Sequence, residues 1–454
     1  MRGKTIVILV LVLVVAVTGG FALGSWYLRQ DAKAADPARA AQEVTGPTAP
    51  AGSETVRVVK VTPEGEGVEL PRIEVGFDAR PKDTKPIEDG FSVVPQLAGT
   101  FTWQDQTLVF TPSQPFQQGR LYTVHLEASS VVPGVDGRWV DGKGTSWSFV
   151  AGGAASGVVE GIQFYGAGYQ VAELGMDGSA QAGVPWPADK SLDDGIWSAD
   201  GGRLLFQSGF LFTFDVSSQQ VAQVIGLEQG EPEPYHASWS PDGRSVVFQR
   251  SGKVYMLSLS RSAAPKALGG TYKGAVYPAW SPDGGWVAVH ASQGSSGELW
   301  VAPIGGGEPK RVADNVGGLR PFAWAPTGKS LAYIRGRGDK AELHIYDVPT
   351  AKDLLVGPVP GGQLYWSPDG ARLAILTGNE TGDLWTVSAG GQDAMPVARN
   401  VRGGQGTVAW SPSGAYLAYV DSKGHIWRVR ADGDGAKQIS GGTESWSLIR
   451  WAAQ

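Results

Sequence analysis

The side chains able to do chemistry are few and scattered. Five histidines occur, His125, His236, His290, His344 and His425. No two stand at the i, i+2 or i, i+4 spacing that would present paired ligands, so no metal site is expected. His125 and His344 alternate with apolar neighbours and His290 ends an apolar run, which reads as structural or surface histidine. Cysteine is absent, which removes disulfides, thiol nucleophiles and thiolate ligands together. No Gly-x-Ser-x-Gly elbow and no Gly-rich phosphate loop is present, and no cofactor is expected. Asp432-Gly433-Asp434-Gly435 begins like a calcium loop but lacks the later acidic ligands, and reads as a hairpin turn. One local cluster suggests catalysis: Glu231, Glu233 and His236 put carboxylates beside an imidazole, as general acid–base work on polysaccharide or peptide requires.

The elements that must position these groups are set by a repeat. Trp239-Ser240-Pro241-Asp242-Gly243 recurs at Trp280 and Trp366, with looser copies at Trp197, Trp324 and Trp410. Successive tryptophans lie 42, 41, 44, 42 and 44 residues apart, and Trp451 follows 41 after Trp410. Ser-Pro-Asp-Gly is tight-turn chemistry: Pro presets φ, Asp tolerates the next position, and Gly takes the left-handed one. It joins a strand ending in Trp to an apolar strand such as Val246-Val247-Phe248. A third strand (Val254 to Leu257) and a short basic fourth (Pro265 to Leu268) complete each period. Four short strands every 40–45 residues or so describe a β-propeller blade. The repeated Trp is expected to pack between neighbouring blades.

These copies resemble the WD40-like PD40 repeat of the TolB family of propellers, over roughly residues 157–454. The resemblance implies the fold and participation in envelope assemblies through protein contacts; function is bound less tightly, since propellers host unrelated activities. Six complete repeats start at Trp197 to Trp410. Three strands lacking a Trp strand precede them, between Gly161 and Val184. A Trp strand lacking the other three follows, Trp446 to Trp451. The fragments complement each other, predicting a seventh blade shared by the two ends, with a six-bladed ring as the alternative.

Toward the other end, Met1 to Thr5 is short and basic and Ile6 to Leu28 is largely apolar. As a helix those 23 residues would span about 34 Å, enough for a hydrocarbon core of about 30 Å. Residues 1–30 are therefore expected to form a signal-anchor transmembrane helix with its N-terminus in the cytoplasm and the rest outside. A cleaved signal peptide, with secretion, is the alternative. Residues 31–54, rich in Ala, Pro and Thr, read as a flexible linker. Residues 55–151 carry seven short runs of strand-forming residues between Pro/Gly-rich turns, suggesting an immunoglobulin-like sandwich. Thr62-Pro63 with Gly65, Val75-Gly76-Phe77-Asp78, Phe110-Thr111-Pro112, Tyr122-Thr123-Val124 and Trp147-Ser148-Phe149 resemble the bacterial Ig-like domain of surface-layer proteins. There the module is a spacer or adhesion unit, which implies extracytoplasmic architecture rather than chemistry.

The expected fold is thus all-β: an anchor helix, an Ig-like sandwich and a propeller. A net charge of -6 over 454 residues gives no nucleic-acid signature. The loops entering the Trp strands vary most and face one mouth of the central channel. From them Tyr235, His236, Tyr272, Tyr277, Arg320, Tyr365 and Arg402 are the candidate partner-binding residues, Tyr and Arg being favoured at interfaces. The leading expectation is a non-catalytic, membrane-anchored binding scaffold for an envelope protein or a cell-wall polymer. An enzyme working in the channel and a structural surface-layer or coat component are the alternatives.

Overall fold

A computed structural model of the chain describes residues 56–452, apart from 64, 69–70, 95, 118–119, 127–130, 133–144, 152–157, 166–167, 177, 180–182, 193, 225–234, 261–263, 271, 294–295, 319, 392 and 443. The expected anchor and linker lie outside these residues, and among the described residues no helix is long and apolar enough to cross a membrane.

The turns carry the repeat into three dimensions. In the copy at Trp239, Ser240 Oγ donates to Asp242 Oδ1 at 2.6 Å and accepts the Ser245 N–H at 2.9 Å. Asp242 Oδ1 also accepts the Arg244 N–H at 3.0 Å, and the Gly243 N–H reaches the Ser240 carbonyl at 2.9 Å. Gly243 stands at φ +64°, where a Cβ would be strained. The same bonds recur around Asp200, Asp283 and Asp369. Where Ser413 and Thr327 replace Asp, their hydroxyls accept the corresponding N–H at a longer 3.4 Å. The serine and backbone donors hold the Asp200 and Asp242 carboxyls below the ordinary range, so these acids are committed to the turns.

Each turn launches one four-stranded antiparallel sheet. The first blade is Asp194–Trp197, Arg203–Ser208, Phe210–Asp215 and Gln220–Gln223. Five more follow, opening with Tyr235–Trp239, Ala275–Trp280, Phe322–Trp324, Gln363–Trp366 and Val408–Trp410. The third and fourth are joined at one residue pair, Val316 with Arg335. The seventh takes Val158–Tyr165, Gly168–Gly175 and Val184–Pro185 from one end of the ring and Ser445–Ala452 from the other. Val159 pairs with Trp451 across that seam, leaving no open edge where the ring closes.

The tryptophans bridge the blades. The indole N–H of Trp239 donates to the Ile196 carbonyl, Trp324 to Ala279, Trp366 to Ala323 and Trp410 to Tyr365, at 3.0–3.1 Å. Each acceptor immediately precedes the tryptophan of the preceding blade. Trp197 closes the circle onto the Leu448 carbonyl. Trp280 differs, donating to Gly284 in its own turn at 3.2 Å, and there Ser238 Oγ takes the Trp280 backbone N–H instead. Trp451 is buried with its ring 6.3 Å from that of Tyr416.

The preceding unit is two sheets around one core. Gly99–Gln104, Thr107–Pro112, Ile73–Phe77, Val56–Thr62 and Val131–Val132 form one; Gly65–Val68, Thr145–Ala151, Leu121–Leu126 and Phe91–Val94 form the other. Ile73, Val75 and Phe77 face Tyr122, Val124 and Phe149 in the shared core. A five-residue helix, Lys85–Asp89, inserts the buried Ile87. It is too short to show a helical period in the sequence.

In Leu121–Leu126 every residue is buried, because its second face lies on the propeller. Leu121 and Val150 join the core shared by the fifth, sixth and seventh blades. Arg372 donates to Thr123 Oγ1 at 3.3 Å and pairs with Asp393 at 2.8 Å, both side chains 5% exposed. His125 Nε2 stands 3.9 Å from the same carboxylate, and Arg120 reaches Asp369 at 3.1 Å. Removing one member of a buried pair strands the other's charge, so Arg372→Ala should cost about 3–5 kcal/mol in denaturant unfolding. Trp366→Phe, which keeps the ring but leaves the Ala323 carbonyl without its donor, should cost only about 1–2 kcal/mol.

Candidate functional site: the mouth of the propeller channel

The innermost strand of each blade is the one ending in Trp, so the residues ahead of the tryptophans converge around the axis. Two of these strands carry bulges: register shifts between Tyr235 and Ser238, and the Ser445–Ala452 strand shifts against Glu160 to Ile162. A bulge re-aims the side chain beside it. His236 at φ +51°, Arg320 at +53° and Leu448 at +48° all take the left-handed backbone that costs non-glycine residues of the order of 1–3 kcal/mol. All three line a cavity of about 340 Å³. A Cβ on Gly195 would come 2.7 Å from Leu448 Cδ1, so a side chain there would displace the Leu448 tip that lines the cavity.

The walls are mostly apolar, with Ile196, Phe322, Leu364 and Leu448 among them. Polar groups enter at particular points. Arg320 pairs with Asp194 at 3.3 Å, and His236 Nδ1 lies 4.0 Å from the same carboxylate. The His236 ring packs on Tyr277 with centroids 4.1 Å apart. Burial, and then the Arg320 charge, push the His236 imidazole down to about 4 against a smaller upward pull from Asp194. It is therefore neutral at physiological pH. Burial pushes the Tyr365 hydroxyl up to about 12, and as a phenol it donates to Gln363 Oε1 at 2.9 Å.

Of the seven candidate binding residues, His236, Tyr277, Arg320 and Tyr365 line this one cavity. Tyr235 pairs with Gln249 in its strand, and its side chain lies outside the described residues. Two residues are placed elsewhere, correcting their assignment to the mouth. Tyr272 is 5% exposed, packed against Trp300 in the core between the second and third blades, with its hydroxyl on the Gly269 carbonyl. Arg402 holds the closing strand through Ser445 Oγ at 3.2 Å and the Trp446 carbonyl at 3.3 Å. Tyr272 lies in a loop that enters a Trp strand and Arg402 ends the strand Met395–Arg402 just before one, but apolar area draws the first inward and acceptors on the closing strand draw the second to the seam. Gln363 and Gln405, at the entries to the Trp strands, also line the cavity although neither was singled out, and Asp194, which supports it through Arg320, was missed. Asp194 and Gln363 stand at the same place in the repeat as His236 and Tyr277, three residues ahead of the tryptophan, and that register was the available signal.

The remaining histidines serve other places. His290 is fully buried against the Val316 carbonyl at 3.3 Å, and His344 shares the Asp353 carboxylate with the Tyr333 hydroxyl at 3.0 and 2.9 Å. His425 lies 3.4 Å from Asp421. Glu231 and Glu233 fall outside the described residues. Among the described residues no group of three or more acidic or histidine side chains is arranged to hold a metal.

No protein-family model matches the sequence. Over 220 residues the chain is 24% identical to an uncharacterized protein of Agrobacterium fabrum, covering 46% of this chain and 73% of that one. Among solved structures it is similar to TolB from Acinetobacter baumannii, at 16% identity and TM-score 0.40 over 68% of this chain and 80% of that one. It is also similar to oligogalacturonate lyase from Vibrio parahaemolyticus, at 13% identity and TM-score 0.47 over 61% and 92%. Puromycin hydrolase stands at 17% and 0.46 over 64% and 53%. TolB and other PD40-type β-propeller proteins are thus among the structures this chain is similar to, and at these identities the likeness concerns the fold alone.

A depressed imidazole has a consequence for stability. For His290 the unfolded chain binds a proton near pH 6.5 while the folded protein resists until about 4. Stability from this group should therefore fall as pH drops through that window, by up to about 1.4 kcal/mol per unit. Imidazole NMR should show His236 and His290 still neutral at pH 5.5, and unfolding midpoints should decline from pH 6.5 downward.

Proposed function

We propose that the protein is a membrane-anchored binding scaffold whose propeller mouth recognises an envelope protein or a cell-wall polymer. The observation that carries this reading is the cavity itself. Side chains from successive blades converge on one concave, mainly apolar site of the size used for ligand recognition, and strained backbone holds two of its polar members in place. In the same reading the two-sheet unit is an Ig-like spacer, locked to the propeller through Arg372 and Asp393 so that it carries the mouth at a fixed attitude. The apolar N-terminal segment is its signal-anchor, placing both β units outside the cytoplasm.

A catalytic reading is favoured by one observation, the approach of Asp194 and His236 at the mouth. The chemistry argues against it. An effective general base has its pKa near the working pH, whereas His236 sits near 4. Asp194 is already engaged by Arg320. A neutral, weakly basic imidazole packed against a tyrosine ring suits a wall better than a proton shuttle.

The test is capture from native envelopes by the full-length protein in detergent, with light crosslinking. A variant carrying Tyr277→Ala and Arg320→Ala serves as comparison. Tyr and Arg at the centre of an interface often account for about 2 kcal/mol each, so the double change should reduce retention at least thirtyfold. Equal retention by parent and variant would move recognition away from the mouth. Retained glycan or peptide that is then cut would establish the enzyme, and no retained partner would favour a structural coat component.

A further inference from the structure

One ion pair crosses the channel. Arg320 lies just ahead of the fourth blade's Trp strand and Asp194 opens the first blade's. Two blades separate them on one side of the seven-bladed ring and three on the other, and no two blades of such a ring stand further apart. Arg320 Nη2 nevertheless reaches Asp194 Oδ2 at 3.3 Å. The guanidinium is felt on both flanks. Burial lowers the His236 imidazole of the second blade and the Arg320 charge adds to that; burial raises the Tyr365 hydroxyl of the fifth and the same charge opposes it.

The pair lies at the outer end of the cavity. Each innermost strand runs from the mouth toward its tryptophan, so position ahead of the tryptophan measures depth. Arg320 stands four residues ahead and Asp194 three, whereas the walls continue to Ala279 and Ala323, one residue ahead, and to Trp197 itself. Arg320 is the one formally charged side chain among the described lining residues, and past it the walls are mainly apolar.

The pair is also loosely made. Asp194 is tethered, its Oδ1 accepting the Gly195 N–H at 2.9 Å. Arg320 is the long arm, and among the described residues its guanidinium makes that single hydrogen bond. The two side chains are 29% and 32% exposed, whereas Arg372 and Asp393 meet at 2.8 Å with both 5% exposed. A partly exposed pair shifts an equilibrium by up to about fivefold, so this one parts without disturbing the ring.

We propose that the Arg320–Asp194 pair is a crossbar at the mouth, restricting entry to the apolar part of the channel until the Arg320 arm swings aside. The device concerns access alone, so it stands or falls separately from what the mouth recognises.

The chain has no cysteine, so a single introduced one reports access. Ala323→Cys, in the channel wall, and Leu354→Cys, on the exposed outer strand of the same blade, are placed in the full-length protein in detergent. Alkylation by the neutral reagent N-ethylmaleimide is followed by mass spectrometry. The thiol in the channel should react at least tenfold more slowly than the outer one. Asp194→Asn, which removes the charge and keeps the shape, should speed it about three- to fivefold. Arg320→Asn, which removes the arm at a left-handed backbone that Asn tolerates, should speed it at least as much. The double change should add nothing to Arg320→Asn alone. Raising salt from about 0.05 M to about 1 M should speed the reaction with both charges present and leave the Asp194→Asn background unmoved. A mere electrostatic effect on the thiolate would have opposite signs in the two variants, one removing a negative and the other a positive charge. Circular dichroism and an unchanged Leu354→Cys rate check the fold, and Ala279→Cys replaces Ala323→Cys if the latter does not fold. Equal rates for the channel and outer thiols, rates indifferent to both variants, or opposite shifts would overturn the proposal. The expected shifts without any captured envelope partner would leave the crossbar standing and the recognition reading unsupported; capture without the shifts would do the reverse.

Discussion

The bond from a tryptophan indole to the carbonyl one residue ahead of the preceding blade's tryptophan is the constraint from which the rest of the ring follows. It ties the innermost strand of one blade to that of the next at a fixed height. Residues three positions ahead of a tryptophan on several blades are thereby delivered to about the same level around the axis. Asp194, His236, Tyr277 and Gln363 meet there for that reason, although about 170 residues separate the first from the last. A single neutral hydrogen bond contributes only about 1 kcal/mol net. Its value here is in repetition and register, supported by the large buried area of each indole. Where Trp280 turns its N–H to its own turn, Ser238 supplies the connection between blades by a different atom.

What was legible in the sequence was what local chemistry dictates. Ser-Pro-Asp-Gly specifies its own hydrogen bonds within six residues, so the turns, the strands beside them and the blade period could all be read directly. The complementary fragments at the two ends of the repeat array likewise pointed to the sheet that joins Val158–Tyr165 with Ser445–Ala452. What was not legible depends on partners far away in sequence. Thr123 and His125 look like the polar face of a sandwich strand, and nothing nearby reveals that Arg372 and Asp393 cover them. Tyr272 and Arg402 sit just ahead of Trp strands, as mouth residues would, yet their acceptors and apolar neighbours lie at the seams between blades.

These features share one physical logic. A closed ring of sheets, joined to the sandwich by the Arg372–Thr123 hydrogen bond and the Arg120–Asp369 ion pair, holds side chains from many blades around a small cavity. Rigidity lets the site keep left-handed backbone at His236 and Arg320 and an uncharged imidazole beside a guanidinium. Such a site is preorganised, and a preorganised site is what the proposed recognition role calls for, whereas proton transfer would need a base near the working pH.

The central claim, that recognition occurs at the channel mouth, is tested most directly by amide hydrogen exchange of the full-length protein with and without solubilised envelope material. The account predicts slowed exchange concentrated in the strand entries, residues 194–197, 235–239, 275–280, 320–324 and 363–366, with the outer blade strands and the sandwich unchanged. Protection confined to the outer strands, such as Lys352–Pro358 with its exposed Leu354 and Leu355, or to the sandwich, would contradict it.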